Sequence, residues 1–148
     1  MAAAPTTTLE TTHLIRDCCL CLHVQRAARA LARRFDEALR PIGLTNGQFS
    51  LMVSLNRPEP PGMKAVASLL AMDRTTLTAA LKPLRRRGLV RIMADPADRR
   101  SRRMKLTAKG RRALARAVPT WKKNHAAVEA LLRNGDADRL RNNLRALS

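Results

Sequence analysis

Tyrosine is absent, and only Phe35, Phe49 and Trp121 are aromatic among 148 residues. Proteins that stack unpaired bases need more such rings, so RNA or single-strand recognition is disfavoured. Long apolar runs are missing too. Nowhere do about 18 apolar residues follow one another, and no basic amphipathic stretch sets Trp and Phe on its apolar face, so no membrane partner is expected. Cysteine is confined to the odd cluster Cys18-Cys19-Leu20-Cys21, unlike the framework of a secreted disulfide scaffold. Met1 to Leu9 carry no charged segment followed by an apolar one. They are expected to be a frayed arm without a secretory leader, in a cytoplasmic protein. A phosphate-cradling glycine loop, a nucleophile elbow, a His-Glu-x-x-His pair and paired carboxylates with a histidine are all missing. The expectation is therefore a protein that is not an enzyme, with no catalytic residue, no metal ligand and no cofactor.

Acidic residues are scarce as well, 11 against 29 Lys and Arg, which leaves a formal net charge of +18. Such a chain repels itself unless it meets an anion, and nucleic acid is the natural candidate.

The expected fold class is mainly α with a small β-hairpin. Apolar residues from about Thr12 to Leu39 recur at helical spacing (Leu14, Cys18, Cys21, Leu22, Ala28, Leu31, Ala32, Phe35), and Pro41 and Gly43 end that first helix. Thr45 and Gln48 form a capping box for a second helix through Leu55. The breaker run Arg57 to Gly62 precedes a short third helix bearing Met63, Val66, Leu69 and Leu70. After a tight connection at Ala71-Met72, Asp73 caps a fourth helix over about 74–87, and Gly88 sits where a left-handed cap belongs. Two short helices joined by a tight turn are the helix-turn-helix pattern. Leu89 to Met93 and Arg103 to Leu106 read as strands flanking turn chemistry at Asp95-Pro96 and Asp98. Thr107 caps a fifth helix with Leu114, Val118, Trp121, His125, Val128 and Leu132 in one stripe, which Pro119 must kink or deprive of one hydrogen bond. Asn134-Gly135 stops it, and Asp136 caps a last helix with Leu140, Leu144 and Leu147.

The outward residues of the fourth helix suit a major groove. Thr75, Thr76 and Thr78 bring hydroxyls, while Arg74, Lys82, Arg85 and Arg86 bring cations for phosphates or base edges. Arg99, Arg100, Arg102 and Arg103 crowd the hairpin tip after Asp98, and arginine on a narrow ribbon can enter a minor groove. Asp98 is expected to pair with one of them. Either set alone could be a solvated face, but two basic elements in close succession are more specific than one.

Several stretches together resemble the MarR family of transcriptional regulators: Leu39-Arg40-Pro41-Ile42-Gly43-Leu44-Thr45, Met72-Asp73-Arg74-Thr75-Thr76-Leu77-Thr78, Arg87-Gly88-Leu89-Val90, Asp95-Pro96-Ala97-Asp98-Arg99-Arg100-Ser101 and Leu106-Thr107-Ala108-Lys109-Gly110. The resemblance runs from about Cys21 to Leu147. It implies a homodimer on a pseudo-palindromic duplex, Arg100 of the Asp-x-Arg wing motif in the minor groove, and repression released by a small-molecule effector bordered by Phe49, Met52 and Trp121. It also implies a division into an N-terminal dimerisation helix (12–44), a winged helix-turn-helix lobe (45–110) and C-terminal dimerisation helices (111–148). In the peroxide-sensing branch of the family a reactive cysteine occupies the position of Cys21, assisted by tyrosines where this chain has Gln25, Phe35 and Asn46. Three alternatives stay open: redox sensing through Cys21 with Cys18; soft-metal chelation or an intersubunit disulfide, since Cys18 and Cys21 lie i, i+3 on one face and Cys19 and His23 lie i, i+4; and burial of Cys18 and Cys21 as small apolar residues. A charge-driven, sequence-indifferent DNA binder is the other reading of the whole chain.

Overall fold

The computed structural model describes residues 6–148, so the first part of the expected N-terminal arm lies outside the described residues. The chain divides into two compact units, one up to Arg34 and one from Phe35 to Ser148.

In the N-terminal unit one long helix was expected from Thr12, and the structure has two. Helix α1 spans Leu9–Cys18 and α2 spans Leu20–Leu39. The Thr8 hydroxyl caps α1 by accepting the amide of Thr11 at 3.2 Å, so the order begins before the expected start. Cys19 is extended (φ −69°, ψ 106°) and breaks the helix. Local groups take up the bonds that the break releases: the Leu22 amide reaches Cys19 Sγ at 3.5 Å, and His23 Nε2 lies 3.0 Å from the Asp17 carbonyl oxygen. The apolar period runs on through Cys19, so periodicity alone gives no sign of the interruption. The break puts Cys18 and Cys21 on different helices, which removes the shared helical face that the spacing suggested. Both are exposed in the single chain, not buried as small core residues.

The second unit follows the expected order. A 3-10 turn, Arg40–Ile42, ends at Gly43 with φ 77°, and the Thr45–Gln48 capping box starts α3 (Asn46–Ser54). Asp36 Oδ1 accepts a further free amide of that first turn, from Asn46, at 2.6 Å. Helices α4 (Met63–Leu69) and α5 (Arg74–Arg86) make the helix-turn-helix. Ala71, with φ 50°, turns the chain between them. At the end of α5, Gly88 (φ 68°) donates to Arg85 and Leu89 donates to Leu84, the paired bonds of a Schellman ending. Strands β1 (Val90–Ala94) and β2 (Arg102–Leu106) pair antiparallel in the register Ile92 to Met104. The run Arg57 to Gly62, expected only as a breaker, also lends β2 an edge partner: Met104 donates to the Pro61 carbonyl, and Gly62 bridges Arg103.

Helix α6 (Ala108–Glu129) follows, then a 3-10 turn at Arg133–Gly135 and α7 (Ala137–Arg145). The helix stops earlier than expected, because its last bonds tighten to Leu131–Val128 and Leu132–Glu129, and Leu132 is already extended. Both α5 and α6 run through their prolines. Pro83 and Pro119 leave the carbonyls of Ala79 and Ala115 without their amides, and both alanines are exposed, so water can satisfy them.

The core of this unit gathers Leu39, Leu51, Met52, Leu55, Leu77, Leu81, Leu84, Leu89 and Met104, all nearly inaccessible. Its one buried polar side chain, Ser54, donates to the Leu51 carbonyl at 2.6 Å. Gly110 brings the first turn of α6 against Leu89, where a Cβ would overlap the Leu89 carbonyl oxygen. Thr107 fixes the same junction: its hydroxyl donates to Gly88 O at 2.6 Å and accepts the Gly110 amide at 3.0 Å. Among the described residues no helix is long and apolar enough to cross a membrane.

Candidate nucleic-acid interface

Asp73 organises the start of α5. Its Oδ1 accepts the Thr76 amide at 2.7 Å and its Oδ2 accepts the Thr76 hydroxyl at 2.9 Å, and these two bonds hold its carboxyl below the usual carboxylate range. The hydroxyl proton of Thr76 is thus committed within the chain. Thr78 likewise donates to the Arg74 carbonyl at 2.8 Å. Both oxygens keep lone pairs for a donor, whereas Thr75 makes no side-chain hydrogen bond among the described residues. Arg74, Thr75, Thr76, Thr78, Lys82, Arg85 and Arg86 are all exposed, and Leu77, Leu81 and Leu84 hold the opposite face of α5 in the core. Lys82, Arg85 and Arg86 line one concave patch on its last turns.

The wing differs from expectation in its ion pairing. Asp98 pairs with no arginine side chain. Its Oδ1 accepts the Arg100 amide at 2.9 Å and its Oδ2 accepts the Ser101 hydroxyl at 2.8 Å, closing a turn around the tip. An amide two residues on and a hydroxyl three residues on occupy both oxygens of Asp98, whereas Asp95 has only the Ala97 amide locally and keeps its second oxygen for a guanidinium. It is Asp95 that takes an arginine, Arg103, at 2.7 Å. Arg103 also donates to the Pro60 carbonyl at 3.3 Å, so this arginine is a half-buried brace rather than part of the tip. Arg102 folds back, donating from Nη1 to the Arg99 and Ser101 carbonyls at 2.8 and 3.2 Å. Arg99 and Arg100 remain exposed, and their guanidinium groups make no hydrogen bond or ion pair among the described residues.

Helix α4, α5 and the wing together enclose a cleft of about 610 Å³. It brings Lys64, Ser68, Arg74, Arg100 and Arg102 to one wall-and-floor arrangement, with Asp95 as its only acid. Lys64 and Ser68 were not singled out from the sequence. Only the packing of α4 against the wing brings them there, although an exposed lysine on the first helix of a helix-turn-helix was a visible cue.

The two wing carboxylates are held low by different causes, Asp95 chiefly by the Arg103 guanidinium and Asp98 chiefly by the Arg100 amide. Depressed values mean stabilisation that is complete above the free aspartate range and is lost as pH falls from that range down through the lower folded-state values. In a carbon-detected carboxyl titration Asp98 should titrate below a free aspartate, with exchange protection of the Arg100 amide disappearing in step. An Asp98 that titrates like a free side chain would refute this account of the wing.

A second, more apolar cleft of about 640 Å³ is lined by Phe49, Val53, Leu69, Leu70, Val118 and Trp121, with Asn56 and Arg57 adding polar groups. Phe49 and Trp121 stack with centroids 6.2 Å apart, and His125 stacks on Trp121 at 4.5 Å. Met52, expected at the edge of such a space, is fully buried in the core instead. Cys21 Sγ accepts from Gln25 Nε2 at 3.1 Å, and Gln25 Oε1 accepts from Arg29 at 3.1 Å. Among the described residues no three His, Cys, Asp or Glu side chains gather as a metal site.

A family model described as a winged helix DNA-binding domain matches residues 44–110. Among solved structures, the Mycobacterium tuberculosis transcriptional regulator MosR in complex with DNA is 46% identical, over 87% of this chain and 92% of that one, with a TM-score of 0.79. This chain belongs to the MarR family. The transcriptional repressor CouR bound to a 23-mer DNA duplex is 29% identical, over 97% of this chain and 99% of that one, with a TM-score of 0.78. The Escherichia coli O111:H- transcriptional regulator HosA is 41% identical over 78 residues, 51% of this chain and 56% of HosA. The MarR-family chain spans about half the length of the curated relatives it matches. Its helix-turn-helix and wing are thus those of a transcriptional regulator with a winged helix DNA-binding domain.

Proposed function

We propose that this MarR-family regulator acts in the cytoplasm as a homodimer on a pseudo-palindromic duplex, with α5 in the major groove and the wing in the minor groove. The cleft that joins Lys64 and Arg74 to Arg100 and Arg102 carries this reading, since a phosphate backbone passing between the two elements would meet cations from both. The DNA-bound state of MosR and CouR supports it. Arg74, Thr75, Thr76, Thr78, Lys82, Arg85 and Arg86 make the major-groove face, and Arg99, Arg100 and Arg102 the wing's. Exposed apolar side chains support the dimer: Leu14, Ile15, Leu22 and Leu31 in the first unit, and Leu140, Leu144 and Leu147 on α7. The protein acts by binding rather than turnover. CouR, named a repressor, supports repression, and the cleft floored by Phe49 and Trp121 is where a small apolar effector would relieve it.

The test is a titration with the duplex upstream of its own gene and with a scrambled duplex, at about physiological ionic strength. The native duplex should bind at least about a thousandfold more tightly. Equal affinities, falling alike with salt, would overturn the specific reading in favour of charge-driven binding.

A second reading concerns control by oxidation. Cys21 is exposed, and the Arg29–Gln25 chain directs an N–H at its sulfur. Attack of the Cys21 sulfur on an organic peroxide breaks the O–O bond, giving a sulfenic acid, and the thiol's proton goes to the departing oxygen, which leaves as an alcohol. Condensation with a second thiol such as Cys18 then releases water. Peroxide should weaken operator binding by the native protein and leave Cys21→Ser unaffected. The same loss in both proteins would remove Cys21 from the scheme.

A further inference from the structure

A third cleft, of about 570 Å³, lies in the second unit where the end of α5 meets the start of α6. Leu89 and Ala113 are buried beneath it, Ile42 is half-buried, and Arg87, Lys109, Arg112 and Arg116 surround it. It shares no residue with the cleft between α4 and the wing. No acid lines it, and none of these four cations has an ion-pair partner among the described residues.

Three of the cations sit one turn apart on one helix, at 109, 112 and 116. Like charges at this spacing destabilise a helix. Two of the four have structural work: Lys109 Nζ donates to the Arg87 carbonyl at 2.8 Å, and Arg87 Nη1 donates to Gln48 Oε1 at 3.4 Å. The side chains of Arg112 and Arg116 make no hydrogen bond among the described residues and are exposed. Two free guanidinium forks beside an ammonium, over an apolar floor, match a multiply charged oxyanion and suit phosphate better than a single carboxylate.

We propose that this cleft binds phosphate esters. The source is either the backbone of a duplex beyond the segment touched by α5 and the wing, which rests on the DNA-binding reading above, or a free phosphorylated small molecule.

The variant is Arg112→Gln/Arg116→Gln, whose exposed positions leave the core intact, with a melting temperature that is not lowered as the check. Its affinity is measured for a minimal operator duplex and for one extended by about one helical turn on each side. If the duplex is the source, the variant loses about tenfold on the extended duplex only, and its salt slope falls by about two. In parallel, inorganic pyrophosphate is titrated into the DNA-free protein and followed by amide shifts. If a free ester is the source, shifts at Arg87 to Leu89 and Lys109 to Arg116 appear in the native protein and vanish in the variant. No difference in either arm overturns the proposal. The native protein on the two duplexes separates the two readings: if it binds neither, the DNA-binding reading fails while the pyrophosphate arm still judges the cleft.

Discussion

Gly110→Ala is expected to destabilise the fold by about 2 kcal/mol, lowering the melting temperature by about 5–8 °C at fixed protomer concentration. In an ordinary helix the same change would help, since glycine costs about 0.5–1 kcal/mol relative to alanine. Here the added Cβ would overlap the Leu89 carbonyl oxygen and lie 3.0 Å from its carbonyl carbon. Both are backbone atoms, held by the Thr107 amide and hydroxyl and by the Schellman bonds that end α5. Nothing at the end of a flexible side chain can yield, so α6 must retreat from the base of the wing. Gly47→Ala on α3 is the control. No atom lies within 4 Å of a Cβ there, and that substitution should raise stability by about 0.5–1 kcal/mol. A denaturant or thermal series in which the two variants shift in the same direction would refute the close-approach argument.

The second large effect is on DNA. Arg100→Ala should weaken operator binding by about 1–3 kcal/mol without changing the melting temperature. The Arg100 guanidinium has no partner among the described residues, whereas its backbone amide is tied to Asp98 at 2.9 Å. Truncation therefore removes the group offered to the groove and leaves the turn that presents it. Arg103→Ala should behave differently. Its guanidinium braces Asp95 and the Pro60 carbonyl, so the loss falls on wing order as well as on affinity. If Arg103→Ala cost operator affinity alone and Arg100→Ala cost none, the assignment of the two arginines would have to be reversed.

The Asp95 and Asp98 outcome shows where sequence reading stops. Both carboxylates were visible as turn residues in an arginine-rich tip. Each accepts an amide two residues on, but the Ser101 hydroxyl takes the second oxygen of Asp98, while the register of the hairpin brings Arg103 within reach of the second oxygen of Asp95. The α1–α2 break is a similar case. Cys19 interrupts no apolar period, and the groups that accept the break, its own sulfur and the His23 ring, act only once the chain has turned.

What the sequence determined by itself is whatever is encoded within four or five residues. The caps at Thr45, Asp73, Thr107 and Asp136, the left-handed Gly88 and the outward cations of α5 were legible because each involves a side chain and a backbone group one turn away. The order of elements, the winged helix-turn-helix pattern and the excess of positive charge were legible for the same reason. Tertiary structure alone decided that Arg103 leaves the tip, that Lys64 and Ser68 join Arg74 and Arg100 around one cleft, that Met52 belongs to the core, and that Gly110 has no room for a methyl group. Each of these depends on a distance between segments far apart in the chain. Such distances follow from packing a whole core at once, which no local pattern specifies.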